Sequence, residues 1–482
     1  MKLKDLLHGV EILDATADLD IEINAVAYDS RKVTEGDLFV AISGFASDGN
    51  RFIPMAMEKG AAAVVTAKRP EGDVPYVLVA SDRLALALIG CNFYGRPAES
   101  MTLIGVTGTN GKTSVTWLLK QVLEQVTGKK AGLIGTMENR IGDEVIPTER
   151  TTPESFELQG LFARMRSAGC GYAIMEVSSH AIALERVGGV RFDVAAFTNL
   201  TEDHLDFHKT MENYCDTKAE LFARCGSAVI NQDDQWFQRI SRLAACPVIT
   251  TSVKGQGILT ADNVQLLSDG VRFTAVTDEE RVEISLPIPG RFTIYNVLTV
   301  LGIVKALGID LKAAAGALTG VQGVKGRVEV VPTPDQPYTI LVDYAHTPDG
   351  LENVISSVRD FCKGRIITVF GCGGDRDPIK RPIMGRIGVE LSDIAIITSD
   401  NPRTEDPERI IADILKGVEP AMGECITITD RRKAIRHAMS IAKENDIIIL
   451  AGKGHETYQE INGVKHHLDE REEVAAALKE AR

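Results

Sequence analysis

The chain has 482 residues, of which 44% are hydrophobic, 25% charged and 5% aromatic, and its formal net charge is -14. This length exceeds what one hydrophobic core supports, so we expect about three globular domains. The negative charge excludes a general nucleic-acid binder, which needs a basic surface. The eight cysteines form no Cys-x-x-Cys pair, which excludes a zinc knuckle or a disulfide framework. No signal-peptide pattern or long apolar run occurs, so we expect a cytoplasmic protein that does not insert into a membrane.

Two polar segments rich in turn-forming residues predict joints between domains. Residues 94–100 read Tyr-Gly-Arg-Pro-Ala-Glu-Ser, and residues 320–327 contain three glycines. Such segments interrupt helices and strands because glycine and proline favour turns. We therefore predict domains over residues 1–99, 100–326 and 327–482.

Short β-branched runs alternate with longer helical patterns after the first joint. Continuous apolar strands separated by helices are typical of parallel sheets in α/β domains. Ligands of such sheets bind beyond the carboxyl ends of the strands. The predicted strands are residues 103–107, 172–177, 194–198, 366–370, 394–399 and 447–451.

The segment Gly-Val-Thr-Gly-Thr-Asn-Gly-Lys-Thr at residues 105–113 follows the first of these strands and begins a helix. Its backbone N–H groups would surround phosphate oxygens, Lys112 would reach the β and γ phosphates, and Thr113 would ligate magnesium. We predict an ATP site, formed by Gly108, Thr109, Asn110, Gly111, Lys112 and Thr113. A glycine-rich turn without nucleotide is the alternative, since Val106 occupies the first glycine position of the strict Walker pattern.

The form Gly-Thr-Asn-Gly-Lys-Thr resembles the phosphate loop of the Mur ligase and folylpolyglutamate synthase superfamily. Glu176 ends the next predicted strand and is our candidate carboxylate for a cation that bridges ATP phosphates. The later motif Asp-His-Leu-Asp, after Thr-Asn-Leu, resembles the Mur ligase signature. The resemblance implies that its histidine, His204, ligates a second magnesium ion.

Residues 214–222 read as an amphipathic helix, in which Lys218 is by itself an ordinary helix lysine. The pattern Tyr-x-x-x-Lys-x-x-Leu-Phe is similar to the Mur ligase segment whose lysine reacts with carbon dioxide. The resemblance implies a carbamate on Lys218, which would offer an anionic oxygen to the second magnesium. It thus implies a catalytic set of Lys112, Glu176, His204 and Lys218.

The substrate contacts follow from the same resemblance. Asp-Ser-Arg at residues 29–31 looks like the UDP-binding motif of the branch that adds the third residue of a peptide, and Thr-Thr-Pro-Glu at residues 151–154 looks like its substrate loop. A guanidinium suits a carboxylate by bidentate pairing, so Arg186 is a candidate contact for the D-glutamyl group, whereas an exposed arginine is the alternative. The implied acceptor contacts are Ser30, Arg31, Thr151, Thr152, Ser179 and Arg186.

Further family elements lie nearer the C-terminus. The family has two asparagines where this chain has Thr293 and Asn296, so the resemblance implies an adenine contact only for Asn296. It also implies that Arg327 touches phosphate and that Asp343 touches the ribose. These two residues belong to segments that would close over the substrates and exclude water.

The segment Asp-Asn-Pro-Arg at residues 400–403 resembles the motif of Mur ligases that add meso-diaminopimelate. Arg403 would pair with the distal carboxylate that lysine lacks, and a site built for that pair discriminates strongly. Without the resemblance, the segment is a turn after a strand. The implied diaminopimelate contacts are Arg376, Asp400, Asn401, Arg403, Gly452 and Glu456.

The resemblance therefore implies an α/β protein of three domains: a UDP-binding domain, a P-loop ATPase domain with a mainly parallel sheet, and a Rossmann-like C-terminal domain. The implied activity is ATP- and Mg²⁺-dependent addition of diaminopimelate to a UDP-linked muramoyl dipeptide through an acyl phosphate, in peptidoglycan precursor synthesis. We expect a monomer. The alternatives are the same reaction with L-lysine, a folylpolyglutamate synthase-like ligase, and a P-loop nucleotide switch.

Overall fold

The computed structural model describes residues 1–44, 48–148 and 150–480. They form two compact units, one of Met1–Thr251 with Thr299–Asp310, the other of Ser252–Leu298 with the residues from Leu311 onward. No helix in the described ranges is long and apolar enough to span a bilayer.

The N-terminal part of the first unit is a five-stranded sheet in the order β1-β5-β4-β3-β2. Strand β1 is antiparallel to its neighbour and the others are parallel. The sheet strands are β1 (Ile12–Ala15), β2 (Val26–Ala27), β3 (Leu38–Ala41), β4 (Ala63–Thr66) and β5 (Tyr76–Val79). The helices are α1 (Leu3–Leu6), α2 (Ile53–Glu58) and α3 (Asp82–Phe93), with 3-10 turns at Ser30–Lys32, Gly49–Phe52 and Pro97–Ser100. Ser81 caps α3 by accepting a hydrogen bond from Leu84 N at 3.2 Å.

The rest of the first unit is built on a sheet in the order β9-β8-β7-β10-β6-β11-β12-β13, parallel from β7 to β13. Its strands are β6 (Thr102–Thr107), β7 (Ala131–Ile134), β8 (Asn139–Ile141), β9 (Glu144–Ile146), β10 (Tyr172–Glu176), β11 (Phe192–Phe197), β12 (Cys225–Asn231) and β13 (Val248–Ser252). Its helices are α4 (Lys112–Thr127), α5 (Ser155–Ser167), α6 (Ser179–Ala183), α7 (Leu205–His208), α8 (Met211–Ala219) and α9 (Phe237–Leu243). Strands β6, β10 and β11 are adjacent, so the motifs that follow them meet at one edge.

The predicted helix over residues 214–222 is partly corrected. Helix α8 ends at Ala219, and the chain continues as a 3-10 turn, Glu220–Arg224, into β12. Thr210 caps the start of α8 by accepting from Asn213 N at 3.2 Å. Lys218 therefore lies in the last turn of the α-helix.

The second unit begins with the antiparallel strands β14 (Leu259–Leu267), β15 (Gly270–Val276) and β16 (Arg281–Leu286). Helix α10 (Arg291–Ala306) continues from this unit into the first, and α11 (Leu311–Thr319) packs on β16.

The C-terminal sheet has the order β17-β18-β22-β19-β20-β21, in which only β17 is antiparallel. Its strands are β17 (Glu329–Val331), β18 (Thr339–Asp343), β19 (Ile366–Phe370), β20 (Ile394–Ile397), β21 (Glu424–Thr427) and β22 (Ile447–Ala451), beside a hairpin of β23 (Tyr458–Ile461) and β24 (Val464–His467). The helices are α12 (Pro348–Arg359), α13 (Lys380–Leu391), α14 (Pro407–Leu415), α15 (Arg431–Ile441) and α16 (Glu470–Glu480). All six predicted strands are present in the molecule, with ends that differ by at most two residues. The α/β prediction is confirmed.

A buried ion pair joins α15 and α16 in this unit. Arg431 and Glu470 are both fully buried, 2.7 Å apart, and Arg431 also donates to Ala451 O at 2.8 Å. Removing one member leaves a buried charge without its partner. We expect Arg431→Met to lower the free energy of unfolding by about 3–5 kcal/mol, measured by urea denaturation. The double variant that also carries Glu470→Met should recover much of this loss, and equal stability of the wild type and the single variant would contradict the prediction.

Candidate active site

The phosphate loop joins β6 to α4 and is fixed by the segment after β11. Thr109 N donates to Asn199 O at 2.8 Å, and Thr198 Oγ1 donates to Asn110 O at 2.6 Å. Gly108 has φ +145°, and a Cβ there would lie 1.9 Å from Thr198 Oγ1. Only glycine fits this approach of two loops. The predicted loop residues thus form one compact turn at the carboxyl ends of two neighbouring strands.

Lys112 begins helix α4 and folds back over this turn. Its Nζ donates to Gly108 O at 2.9 Å and to Thr109 O at 2.8 Å. A lysine cation and the positive end of a helix dipole therefore occur together. This combination is suited to a polyphosphate.

Glu176 ends β10 beside the loop and is 1% exposed. Its Oε2 accepts from Thr113 Oγ1 and from Thr136 Oγ1, both at 3.0 Å, and its Oε1 accepts from Thr136 N at 2.9 Å. A buried carboxylate adjoining hydroxyl groups offers the hard oxygen ligands that Mg²⁺ prefers. Within the described part of the chain, no three His, Cys, Asp or Glu side chains converge on one point as a metal site. Thr113 and Glu176 therefore fit a cation that takes its other ligands from phosphate and water.

Lys218 is also buried, although the sequence pattern alone predicted an ordinary helix lysine at this position. Its Nζ donates to Gly108 O at 2.9 Å, the carbonyl that Lys112 also uses, and lies 4.6 Å from the ring centre of Tyr214. Burial, together with the charge of Lys112, holds the pKa of Lys218 well below its usual value. This environment favours the neutral amine, which is the nucleophilic form.

His204 also lies near Tyr214, with the two ring centres 6.3 Å apart. It adopts a left-handed φ of +53°, stacks edge-on against His180 at 4.8 Å, and is half-exposed. Burial lowers the pKa of the neighbouring His208 to about 4, and the Nε2 of that ring is 2.9 Å from Ser179 Oγ. Histidine and lysine from separate segments thus meet around one tyrosine.

The predicted acceptor residues of the central sheet are connected to Glu176. Thr152 Oγ1 donates to Glu176 O at 2.9 Å, and Thr151 Oγ1 lies 3.1 Å from Thr136 Oγ1, which itself bonds to Glu176. Arg186 donates to Thr152 O at 3.2 Å and is 15% exposed, so the reading of it as a free surface arginine is wrong.

Ser30 and Arg31 have local partners instead. Ser30 is buried, with its Oγ 3.4 Å from Met55 Sδ, and Arg31 pairs with Asp29 at 2.8 Å on the surface. Among the hydrogen bonds and ion pairs of the described residues, none joins these two to Thr151, Thr152, Ser179 or Arg186.

Sequence reasoning gave no role to Glu154, the last residue of the substrate loop. Its Oε2 lies 3.4 Å from Arg186 Nε, 3.7 Å from Arg83 Nη1 and 3.9 Å from Arg150 Nη1, and it is 6% exposed. Arg83 and Arg186 are also largely buried, and each has a nitrogen without a hydrogen-bond partner. Three guanidinium groups around one carboxylate leave an excess of positive charge. The arrangement therefore favours an anionic ligand.

In the second unit, the segment after β20 faces the segment after β22. Lys453 Nζ donates to Asn401 Oδ1 at 2.6 Å and to Glu456 Oε2 at 2.9 Å. Gly452 has φ +113°, and a Cβ there would lie 2.6 Å from Asp400 Oδ2. Four of the predicted amino-acid contacts, namely Asp400, Asn401, Gly452 and Glu456, are therefore assembled at one place.

Arg403 extends from the same segment with a left-handed φ of +51°. Its Nη1 donates to Gly374 O at 2.7 Å, and its Nε is 3.4 Å from Glu460 Oε2. Arg376 is exposed and bonds to Asp375 O. The two arginines thus belong to neighbouring loops and leave N–H groups available to a carboxylate.

Three residues of this unit are predicted to contact the nucleotide, and they differ in what surrounds them: Asn296, Arg327 and Asp343. Asn296 is buried in α10, and Thr293 Oγ1 donates to Pro289 O at 3.0 Å. The Arg327 guanidinium lies 5.3 Å from the ring centre of Tyr344. Asp343 accepts from Val328 N at 2.7 Å and from Ala345 N at 2.8 Å, and burial raises its pKa. Asp343 thus holds the backbone of both segments, a role that the sequence did not indicate.

Comparison with known proteins places these features in one family. Residues 22–86 match the Mur ligase family catalytic domain, residues 106–304 the Mur ligase middle domain, and residues 326–454 the Mur ligase glutamate ligase domain. A Clostridium botulinum protein named UDP-N-acetylmuramoyl-L-alanyl-D-glutamate–2,6-diaminopimelate ligase is 49% identical over 95% of this chain and 96% of its own. A Clostridium tetani protein of the same name is 47% identical over the full length of both.

Solved structures agree with this assignment. A structure of a ligase with that name superimposes with a TM-score of 0.77 at 31% identity, covering 100% of this chain and 99% of the other. A Mycobacterium tuberculosis folylpolyglutamate synthase shares the fold, with a TM-score of 0.62 at 18% identity over 83% of this chain and 96% of its own. The resemblance seen in the phosphate loop and in the motifs at the strand ends is confirmed, and the chain belongs to the Mur ligase family, whose three-domain α/β fold and ATP-dependent amide-forming chemistry it shares.

Proposed function

We propose that this ligase joins meso-2,6-diaminopimelate to the D-glutamyl carboxylate of UDP-N-acetylmuramoyl-L-alanyl-D-glutamate, the UDP-linked acceptor, in peptidoglycan precursor synthesis. The observation that carries the proposal is full-length identity of 47–49% to relatives named for this reaction. We also propose a monomeric cytoplasmic enzyme, with domain boundaries near residues 99 and 326.

The first chemical step is phosphoryl transfer. A carboxylate oxygen of the D-glutamyl residue attacks the γ-phosphorus of ATP, the bond to the bridging oxygen of ADP breaks, and an acyl phosphate forms. Lys112 lies at the start of α4, where its cation and the helix N-terminus stabilise the charge on the β and γ phosphates. Mg²⁺, when bound, neutralises phosphate charge and orients the reacting oxygens. Thr113, Glu176 and His204 would hold the metal ions.

Lys218 would provide the remaining anionic ligand as a carbamate. Its neutral amine attacks the carbon of carbon dioxide, a C–N bond forms while the electrons of one C=O π bond move to oxygen, and the nitrogen loses a proton to water. The depressed pKa and the buried position next to Gly108 O support this reaction, because a protonated lysine has no lone pair.

The second step is attack of the diamino acid's amine on the acyl carbon. A tetrahedral intermediate forms, phosphate leaves with the electrons of the C–O bond, and the nitrogen loses a proton. Arg376 and Arg403 would hold carboxylates of the diamino acid, and Asp400, Asn401, Gly452 and Glu456 its amino end. Asn296, Arg327 and Asp343 would contact ATP, and Ser30, Arg31, Thr151, Thr152, Ser179 and Arg186 the acceptor.

The test is phosphate release by the purified protein with ATP, Mg²⁺ and the UDP-linked acceptor, with either meso-diaminopimelate or L-lysine added. We expect release and tripeptide product with diaminopimelate alone. Release only with lysine would leave the chemistry intact and overturn the substrate. The absence of phosphate release with both amino acids would contradict the proposal and favour a folylpolyglutamate synthase-like activity or a nucleotide switch.

Glu154→Gln tests the arginine cluster of the acceptor site. The amide keeps the shape of the side chain but removes the charge that holds Arg83, Arg150 and Arg186 within 4 Å. The arginines must then be ordered when the acceptor binds, so we expect the KM for the acceptor to rise about tenfold, or about 1.4 kcal/mol. Steady-state kinetics at saturating ATP measure this change.

The matched control is Glu144→Gln, which removes the carboxylate of an exposed pair with Arg164 in the same sheet region. This variant should leave the KM values for ATP, the acceptor and the diamino acid unchanged. A Glu154→Gln enzyme whose acceptor KM stays at the wild-type value would show that the cluster does not prepare the site.

A further inference from the structure

Lys453 is a fully buried cation just beyond the carboxyl end of β22, and it is not among the proposed substrate contacts. Its side chain is 0% exposed, with Nζ 2.6 Å from Asn401 Oδ1, 2.9 Å from Glu456 Oε2 and 3.9 Å from Asp400 Oδ1. All three partners are proposed contacts of the diamino acid. A buried ammonium is costly unless its bonds are satisfied, so its position here requires these partners.

The bonds of Lys453 fix the orientation of the Asn401 amide. Asn401 Oδ1 accepts from Lys453 Nζ and from Glu460 N at 2.9 Å, while Nδ2 donates to Glu456 Oε2 at 2.9 Å. Rotating the amide by half a turn would place its NH₂ group against two donors. One N–H of Asn401 therefore remains in a defined direction for a ligand.

The same bonds fix Glu456. Its Oε2 accepts from both Lys453 and Asn401, whereas Oε1 accepts no hydrogen bond from the residues that the structure describes. Two carboxylates, those of Asp400 and Glu456, surround the single ammonium of Lys453. The cluster thus retains one net negative charge, which suits the amino end of a ligand.

We propose that Lys453 is a positioning residue for the diamino acid, which holds Asn401 and Glu456 in the orientation that binds it. The inference rests on the proposed function and confines Lys453 to the second step. Phosphoryl transfer to the acceptor should not require it. Residues that orient the direct ligands of a metal ion typically change binding or activity about 10- to 100-fold when they are replaced, and we expect the same range for Lys453.

The experiment compares Lys453→Met with wild type in two assays. In the first, ATP, Mg²⁺ and the acceptor are supplied with hydroxylamine, which attacks the acyl phosphate, releases phosphate and gives a hydroxamate. In the second, diaminopimelate replaces hydroxylamine. We expect an unchanged rate of hydroxamate formation and a KM for diaminopimelate raised about 10- to 100-fold.

Lys453→Arg and Lys465→Met complete the design. Arginine keeps the charge but not the compact geometry, so this variant should also raise the KM for diaminopimelate at an unchanged hydroxamate rate, even if Lys453→Met does not fold. Lys465 is an exposed lysine of β24, and Lys465→Met should match wild type in both assays.

The outcomes separate the inference from the function on which it rests. Loss of hydroxamate formation in a folded variant, or an unchanged KM for diaminopimelate in Lys453→Arg, would overturn the positioning role. Absence of hydroxamate with wild-type protein would instead contradict the proposed ligase reaction, whatever the variants do.

Discussion

Lys218→Ala should abolish ligation, with kcat reduced on the order of 10³-fold, the magnitude typical of losing one group that stabilises transition-state charge. In the structure, Lys218 is buried against Gly108 O, between the phosphate loop and Tyr214. The proposed carbamate would place an anionic oxygen beside the phosphate loop, and alanine would remove it. The measurement is phosphate release at saturating substrates.

Rescue distinguishes the carbamate from a purely structural lysine. Formate or acetate can enter the space left by the side chain and supply a carboxylate oxygen, so we expect either to restore part of the lost kcat. Lys209→Ala, which removes an exposed lysine from the preceding loop, should have full activity and no response to carboxylates. A Lys218→Ala enzyme with wild-type activity, or one that every carboxylate leaves inactive, would refute the carbamate.

The parts of the site that the sequence predicted are those in which a motif directly follows a strand. The phosphate loop after β6 and Glu176 at the end of β10 are examples, because adjacent parallel strands place their carboxyl ends together. Lys218 was found only through the resemblance. Its burial depends on Gly108 and Tyr214, and helical periodicity alone does not indicate that contact.

The features that the sequence did not predict arise from contacts between distant segments. Arg83 and Arg186 lie far from Glu154 in the sequence, and the fold brings both of them to it, beside the local pair of Glu154 with Arg150. The sequence around Lys453 predicts a surface lysine in a glycine-rich turn, yet the side chain is fully buried. Neither composition nor spacing encodes such long-range pairing, because it depends on how loops pack once the sheet has formed.

Arg403→Ala should remove most of the preference for diaminopimelate over L-lysine. The distal carboxylate of diaminopimelate would pair with the Arg403 guanidinium, which Gly374 O and Glu460 hold in the loop after β20. Loss of one partner of a buried charge pair costs several kcal/mol, so the ratio of the two kcat/KM values should fall about 10²- to 10³-fold. Nearly all of the change should appear as a lower kcat/KM for diaminopimelate, because L-lysine has no distal carboxylate that could pair with Arg403.

Arg409→Ala is the matched control, because Arg409 is an exposed arginine on α14. The ratio of kcat/KM for diaminopimelate to kcat/KM for L-lysine should be the same in this variant as in wild type. Arg403→Lys separates charge from geometry: an ammonium attracts the carboxylate but cannot bind it in bidentate fashion, so the ratio should lie between those of wild type and Arg403→Ala. If the Arg403→Ala enzyme still prefers diaminopimelate as strongly as wild type, the prediction is wrong. That result would indicate that Arg376, whose guanidinium lies on the neighbouring loop, determines the specificity.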